Sequence, residues 1–379
     1  MITAHANGRV NLIGEHTDYN GGFVLPTGIP QQTIVTLKAR GDMKVTLASM
    51  NAGGEPFTYE LGQETPHKAW TDYVQGATKI MRELVESREI RGFDLTVSSD
   101  VPMGSGLSSS AALLVAVFKA LREAWGLSGK LGDVEIAKLS QRVENEFVGA
   151  KVGIMDPMAA SLASEGQALF IDTESLAIEQ VRIPSDKMEI AVINSGIFHS
   201  NAHGGYNQRR RECEEACEKL GVKSLREVGL DRMAEIEQLP EPLGRRAKHV
   251  VTENQRVLDA VEALKKGDCE KLGMLFRQSH ESMRDDYEVS VPDVDTLVAI
   301  ANSENDVFGA RLTGGGFGGS IVIGARAGKA LEVARRVADL YAKQTNREPQ
   351  ILVPRRPTPS EVRSEERINE NAGERPAEM

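Results

Sequence analysis

Apolar and polar positions along this chain follow two alternating periods, and the alternation sets the first expectation for its architecture. Phe93-Asp94-Leu95-Thr96-Val97 switches side chain by side chain, as a half-buried strand does. Residues 110–125 are apolar on most sides, which predicts a deeply buried helix, and Gly126 is placed to end it. Asp133 is the expected cap of a second helix, whose Ile136, Leu139, Val143 and Phe147 share one face. Strands are expected at 167–172 and 188–194, and TESLAIEQVRIPSDK between them reads as a crossover joining two domains, 1–173 and 188–354. From 206 to 301 the pattern is mostly helical. Residues 311–325 predict a hairpin around GGGFGG, 328–343 an amphipathic helix and 350–353 a last strand. The tail, 355–379, is rich in charge and proline with almost no large apolar residue, which predicts disorder.

Composition narrows the function classes. A chain of 379 residues exceeds what one core normally serves, so two domains are the default. Its apolar fraction of 40% and charged fraction of 26% are those of an ordinary globular protein. No apolar run approaches the ~18 residues of a membrane span, and MITAHANGRVNL has no basic stretch leading into an apolar one, so neither membrane insertion nor secretion is expected. Cys213, Cys217 and Cys269 cannot pair completely, which points to a reducing compartment and a cytoplasmic location. A net charge of −10 argues against a nucleic-acid surface and requires local positive potential for any anionic substrate.

Candidate chemistry is concentrated in loops. VPMGSGLSSSAAL (101–113) lies between a predicted strand and a predicted helix, where free N–H groups and the helix dipole can hold phosphate. Gly104 and Gly106 allow close backbone approach, and the serines add hydroxyls. The loop lacks the Lys of a Walker A motif, the third glycine of a dinucleotide fingerprint and the pattern of a nucleophile elbow. GRVNLIGEHTDYNGGFVLP (8–26) gathers Arg9, Glu15, His16 and Asp18 beside strand-like apolar residues. Taken singly, Asp156 before Pro157 reads as a helix cap, Glu144 as a solvated surface charge, and LTGGGFGG (312–319) as a turn with more glycine than a turn requires.

Taken together, these stretches resemble the galactokinase family of the GHMP small-molecule kinases, through GRVNLIGEHTDYNGGFVLP, GSGLSSSAAL, GIMD (153–156) and LTGGGFGG. HVVTENQRVL (249–258) and GMLFRQSHESMRDDYEVSVPDVD (273–295) add linking matches, so the resemblance spans about residues 7–354. It implies an α/β (α+β) two-domain fold, the second domain ferredoxin-like, with the active site in the interdomain cleft. The implied reaction is ATP-dependent phosphorylation of galactose at its anomeric hydroxyl. Asp156 would be the base and Arg9 would orient it. Glu15, His16, Thr17, Asp18, Gly153 and Tyr206 would bind the sugar. Gly104, Ser105, Gly106, Leu107, Ser108, Ser109 and Ser110 would wrap the ATP phosphates, with Ser110 and Glu144 holding Mg²⁺. A monomer is expected. The alternatives are N-acetylgalactosamine as substrate, for which the small residues of HSNAHGG before Tyr206 leave room, and a sugar and nucleotide sensor without turnover.

Other residues carry plainer expectations. Cys213 and Cys217, four apart, read as packing residues, and Arg209, Arg210 and Arg211 as a solvated helix face. His199 and His203 have the spacing of a helical metal pair, but Asn201, Gly204 and Gly205 favour a loop.

Overall fold

Eight strands form the first sheet: Ile2–Asn11 (β1), Phe23–Val24 (β2), Pro26–Ala39 (β3), Lys44–Ser49 (β4), Phe57–Glu60 (β5), Phe93–Ser99 (β6), Gln167–Asp172 (β7) and Ile178–Arg182 (β8). This is a computed structural model and describes residues 1–84, 90–197 and 202–354; the tail 355–379 and His199 lie outside the described residues, as does the side chain of His203. The long β3 organises the sheet, pairing antiparallel with β1, β6 and β7. Four helices accompany it: Thr71–Arg82 (α1), Ser109–Ala124 (α2), Asp133–Arg142 (α3) and Met155–Leu162 (α4). Helix α2 lies across β1 and β3 with Leu114, Val115, Val117, Phe118 and Leu121 fully buried, which is why its sequence is apolar on most sides. Each such side chain contributes about 1.5–3 kcal/mol of burial.

The second sheet is formed by Met188–Asn194 (β9), Val307–Thr313 (β10), Ser320–Arg326 (β11) and Gln350–Val353 (β12), in the order β10-β11-β9-β12 and antiparallel throughout. Between β9 and β10 run Ala202–Leu220 (α5), Met233–Ile236 (α6), Leu243–Lys266 (α7), Cys269–Asp285 (α8) and Pro292–Asn302 (α9), and Ala330–Thr345 (α10) links β11 to β12. Strand order and connections are those of a ferredoxin-like unit whose first crossover is enlarged into five helices. Helix α8 packs onto β10 so closely that a Cβ on Gly273 would stand 2.1 Å from the Phe308 carbonyl oxygen. No helix among the described residues is long and apolar enough to cross a membrane.

Three local expectations are corrected. Asp133 does not cap α3: Gly132 precedes the helix, and the Asp133 carboxylate accepts Arg122 Nη1 at 2.8 Å. The supposed crossover carries β8, which pairs with β7, so the first sheet continues through Arg182. Phe147 lies beyond α3, in a π-helical stretch over Val143–Val148, and is only half-buried.

Candidate active site

The phosphate-type loop joins β6 to α2 and is shaped by left-handed backbone at Gly104, Gly106 and Ser108, with φ of 70°, 79° and 60°. No side chain caps α2, so the amides of its first turn are not taken up by a capping group. The loop residues serve different ends. Ser105 Oγ donates to the Pro102 carbonyl at 2.7 Å, whereas Leu107 is a core residue whose carbonyl accepts the Arg9 N–H at 3.2 Å. The Leu107 side chain is packed in the core, so the part of it that faces the loop is its backbone. Ser109 and Ser110 open the helix, half-buried.

Beside Ser110 stands Glu144, which lies in the π-helical stretch and is 3% exposed rather than solvated. Burial and the nearby Asp156 charge push the Glu144 carboxyl up to about 7, against the Ser110 hydrogen bond. Among the described residues Glu144 has no ion-pair partner, and a buried carboxylate facing a hydroxyl is a hard-oxygen donor set of the kind Mg²⁺ prefers.

A register shift in the β1–β3 pairing between Asn7 and Arg9 re-aims the buried Arg9. Its guanidinium donates to Asp156 Oδ1 through Nε at 2.8 Å and Nη2 at 2.6 Å, and through Nη1 to the Gly106 carbonyl. Ser108 Oγ donates to Asp156 Oδ2 at 2.5 Å. Asp156 therefore does not cap α4, which starts at Met155 with no side-chain cap; its carboxylate ties the first strand to the phosphate-type loop.

The EHTD loop follows Gly14, whose φ of 104° and lack of Cβ space suit glycine alone. Glu15 is buried and accepts from Arg311 Nη2, Thr313 Oγ1 and the Gly314 N–H, which bind it to the second sheet. Burial raises its carboxyl above the usual range in spite of Arg311. His16 Nδ1 meets the Tyr19 hydroxyl at 2.9 Å, and burial, then the charges of His249 and Arg209, lower its ring to about 3, so it is neutral. The buried Thr17 hydroxyl lies 2.8 Å and 2.6 Å from the carbonyls of Gly14 and Phe23 and is outside the cavity lining. Its expected sugar contact is corrected to a turn-closing role. Asp18 is pushed up to about 6 by burial, then by Asp156. It packs on Gly153 so tightly that a Cβ there would stand 1.6 Å from Asp18 Oδ2. Tyr206, from α5, lies 5.4 Å from the His16 ring.

Arg9, Glu15, His16, Asp18, Gly104, Gly106, Gly153, Asp156 and Tyr206 line one cavity of about 670 Å³, to which residues 313–319 also contribute. Sequence reasoning missed Arg311, one residue before LTGGGFGG, although it is fully buried and grips Glu15. It also missed Lys151 and Asn207 in the lining, and placed Arg209 in solvent. Arg209 is instead buried, donating to the carbonyls of Tyr287 at 2.6 Å and Glu288 at 2.9 Å. Cys213 and Cys217 are buried packing residues as expected.

Three family models match the chain: the galactokinase galactose-binding signature over residues 2–39, the GHMP kinases N terminal domain over 72–164 and the GHMP kinases C terminal over 260–343. The galactokinase of Haemophilus influenzae is 45% identical, covering 91% of this chain and 90% of that protein. The chain belongs to the galactokinase family of the GHMP kinases. Its relatives there include the galactokinase of Glaesserella parasuis, 43% identical over 90% of each chain. Among solved structures, Lactococcus lactis galactokinase complexed with galactose superposes with a TM-score of 0.85 at 31% identity, covering 92% of both chains. Methanococcus jannaschii mevalonate kinase, at 19% identity and a TM-score of 0.67, covering 92% of this chain and 96% of its own, shares the GHMP fold outside the galactokinase family.

Proposed function

We propose that this chain transfers the γ-phosphoryl group of ATP to the anomeric hydroxyl of D-galactose, giving α-D-galactose 1-phosphate and ADP. The observation that carries this reading is the Asp156 carboxylate, held by Arg9 and Ser108 where the EHTD loop and the phosphate-type loop open into one cavity. The phosphates lie at the uncapped start of α2, over Gly104–Ser110 backbone, where N–H groups and the helix dipole offset their charge. Asp18, Glu15, His16 and Gly153 hold the sugar from the loops of the first lobe, and Tyr206 holds it from α5. As the anomeric oxygen bonds to the γ-phosphorus, its proton passes to Asp156, and the bond from that phosphorus to the bridging oxygen breaks to release ADP. Arg9 fixes the orientation of the base and offsets charge on the transferred group, so that alignment supplies much of the rate. Ser110 and Glu144 would hold Mg²⁺, which neutralises triphosphate charge when bound.

We read the molecule as a monomer built of an N-terminal lobe through Arg182 and a C-terminal lobe over 188–354. The free thiols of Cys213, Cys217 and Cys269 support a reducing, cytoplasmic setting. An ADP-release assay across galactose, glucose, N-acetylgalactosamine and arabinose tests the reading. Galactose should be turned over best, with its 4-epimer glucose much poorer, because a misplaced hydroxyl leaves buried polar groups unpaired. N-acetylgalactosamine exceeding galactose, or glucose equalling it, refutes the sugar assignment; no sugar-dependent ADP release refutes the kinase.

A further inference from the structure

The HVVTENQRVL stretch takes no part in the reaction described above, yet three polar side chains of α7 converge on the loop that presents Glu15, His16 and Asp18. His249 and Glu253 are one helical turn apart and Asn254 is next to them, so all three project toward the same neighbour. His249 Nε2 lies 3.1 Å from the Glu15 carbonyl. Glu253 Oε1 accepts the Gly14 N–H at 3.0 Å, and Asn254 Oδ1 accepts the Phe23 N–H at 3.0 Å. Both ends of the loop and its first reading residue are thereby fixed by one helix of the other half of the molecule. The fit leaves no slack: a Cβ on Gly22 would stand 2.2 Å from Asn254 Oδ1, and one on Gly14 2.9 Å from Val257 Cγ2.

Glu253 also reaches Glu15 by a second route. It is fully buried, accepts Ser279 Oγ at 2.6 Å and pairs with Arg256 Nε at 2.6 Å. Its Oε1 lies 3.9 Å from Arg311 Nη2, the same nitrogen that grips the Glu15 carboxylate. One buried anion thus bears on the backbone just before Glu15 and on the cation that orients the Glu15 side chain. The loop needs such support, since Gly14 and His16 both hold left-handed backbone, and His16 does so as a non-glycine residue with φ of 65°. A constellation that distinguishes hydroxyl positions must be held to within about 0.5 Å.

We infer that Glu253, with His249 and Asn254 beside it on α7, is a positioning residue for sugar recognition: it templates the 14–23 loop and thereby sets affinity for galactose and discrimination against its epimers. This rests on the galactose kinase reading. The test compares the full-length parent with Glu253→Gln and with the milder Ser279→Ala, which removes one hydrogen bond to the Glu253 carboxylate. KM is measured separately for galactose and ATP, turnover is compared on galactose and glucose, and circular dichroism melts establish folding at the assay temperature. Glu253→Gln should raise the galactose KM by about tenfold or more, leave the ATP KM within about twofold and narrow the galactose-to-glucose preference. Ser279→Ala should move the same quantities in the same direction by a few-fold, and it decides the matter if Glu253→Gln does not fold. Folded variants whose galactose KM is unchanged, or whose two KM values rise together, overturn the inference while the parent's activity upholds the kinase. A parent without galactose-dependent turnover overturns both.

Discussion

Replacing Asp18 by Asn should stabilise the ligand-free protein while weakening galactose binding. The Asp18 carboxyl, set in the cavity against Gly153 and near Asp156, ionises only near 6 in the folded chain, against an ordinary 3.8. Below pH 3.8 the group is protonated in both folded and unfolded chains and contributes no difference. Between 3.8 and 6 the folded state resists an ionisation that the unfolded chain accepts, so stability is lost as pH rises, and above 6 the loss is complete. The gap corresponds to about 3 kcal/mol, which partial contact of the side chain with solvent reduces to about 1–2 kcal/mol. Asn keeps the shape and removes the charge. Denaturant unfolding of parent and variant should show this gain at pH 8 and about half of it at pH 5, where the parent carboxyl is part-way through the window. Galactose titration by calorimetry should show affinity falling about tenfold or more, since a charged acceptor for sugar hydroxyls is gone. A variant less stable than the parent at pH 8, or a gain that does not change between the two pH values, refutes the electrostatic reasoning.

Asp156→Asn should preserve folding and galactose binding yet lower kcat about 10²- to 10⁴-fold; near-parental turnover rules out the base. Glu144→Gln and Ser110→Ala should each shift the Mg²⁺ dependence of turnover while leaving sugar binding without nucleotide intact, and titrations that overlay the parent's place the ligands elsewhere. Gly153→Ala puts a Cβ 1.6 Å from the present position of Asp18 Oδ2, so Asp18 must move. Steady-state kinetics should show the galactose KM raised about tenfold with the ATP KM retained.

Much of this protein was determined by the sequence acting locally. Strands at Gln167–Asp172, Met188–Asn194 and Gln350–Val353 coincide with their expected bounds, and α2 lies within one residue of its predicted bounds. The glycine-rich loops fall between the expected elements, because side-chain periodicity and glycine's backbone freedom act over a few neighbouring residues. The edge strand β8 was illegible because IEQVR buries only Val181, leaving no alternation to read. Partner choice among the charges was illegible for a different reason. Asp133 and Asp156 both look like helix caps, yet each takes an arginine instead, Arg122 eleven residues away and Arg9 one hundred and forty-seven away. Glu144 and Arg209 look solvated and are buried, and Arg311 and Glu253 look unremarkable although they hold Glu15 and its loop. Which residues could carry charge was written in the chain. Only the tertiary structure decided which charges lost water and which partner each then met, because burial and long-range contact exist only once the two sheets have closed on one cavity.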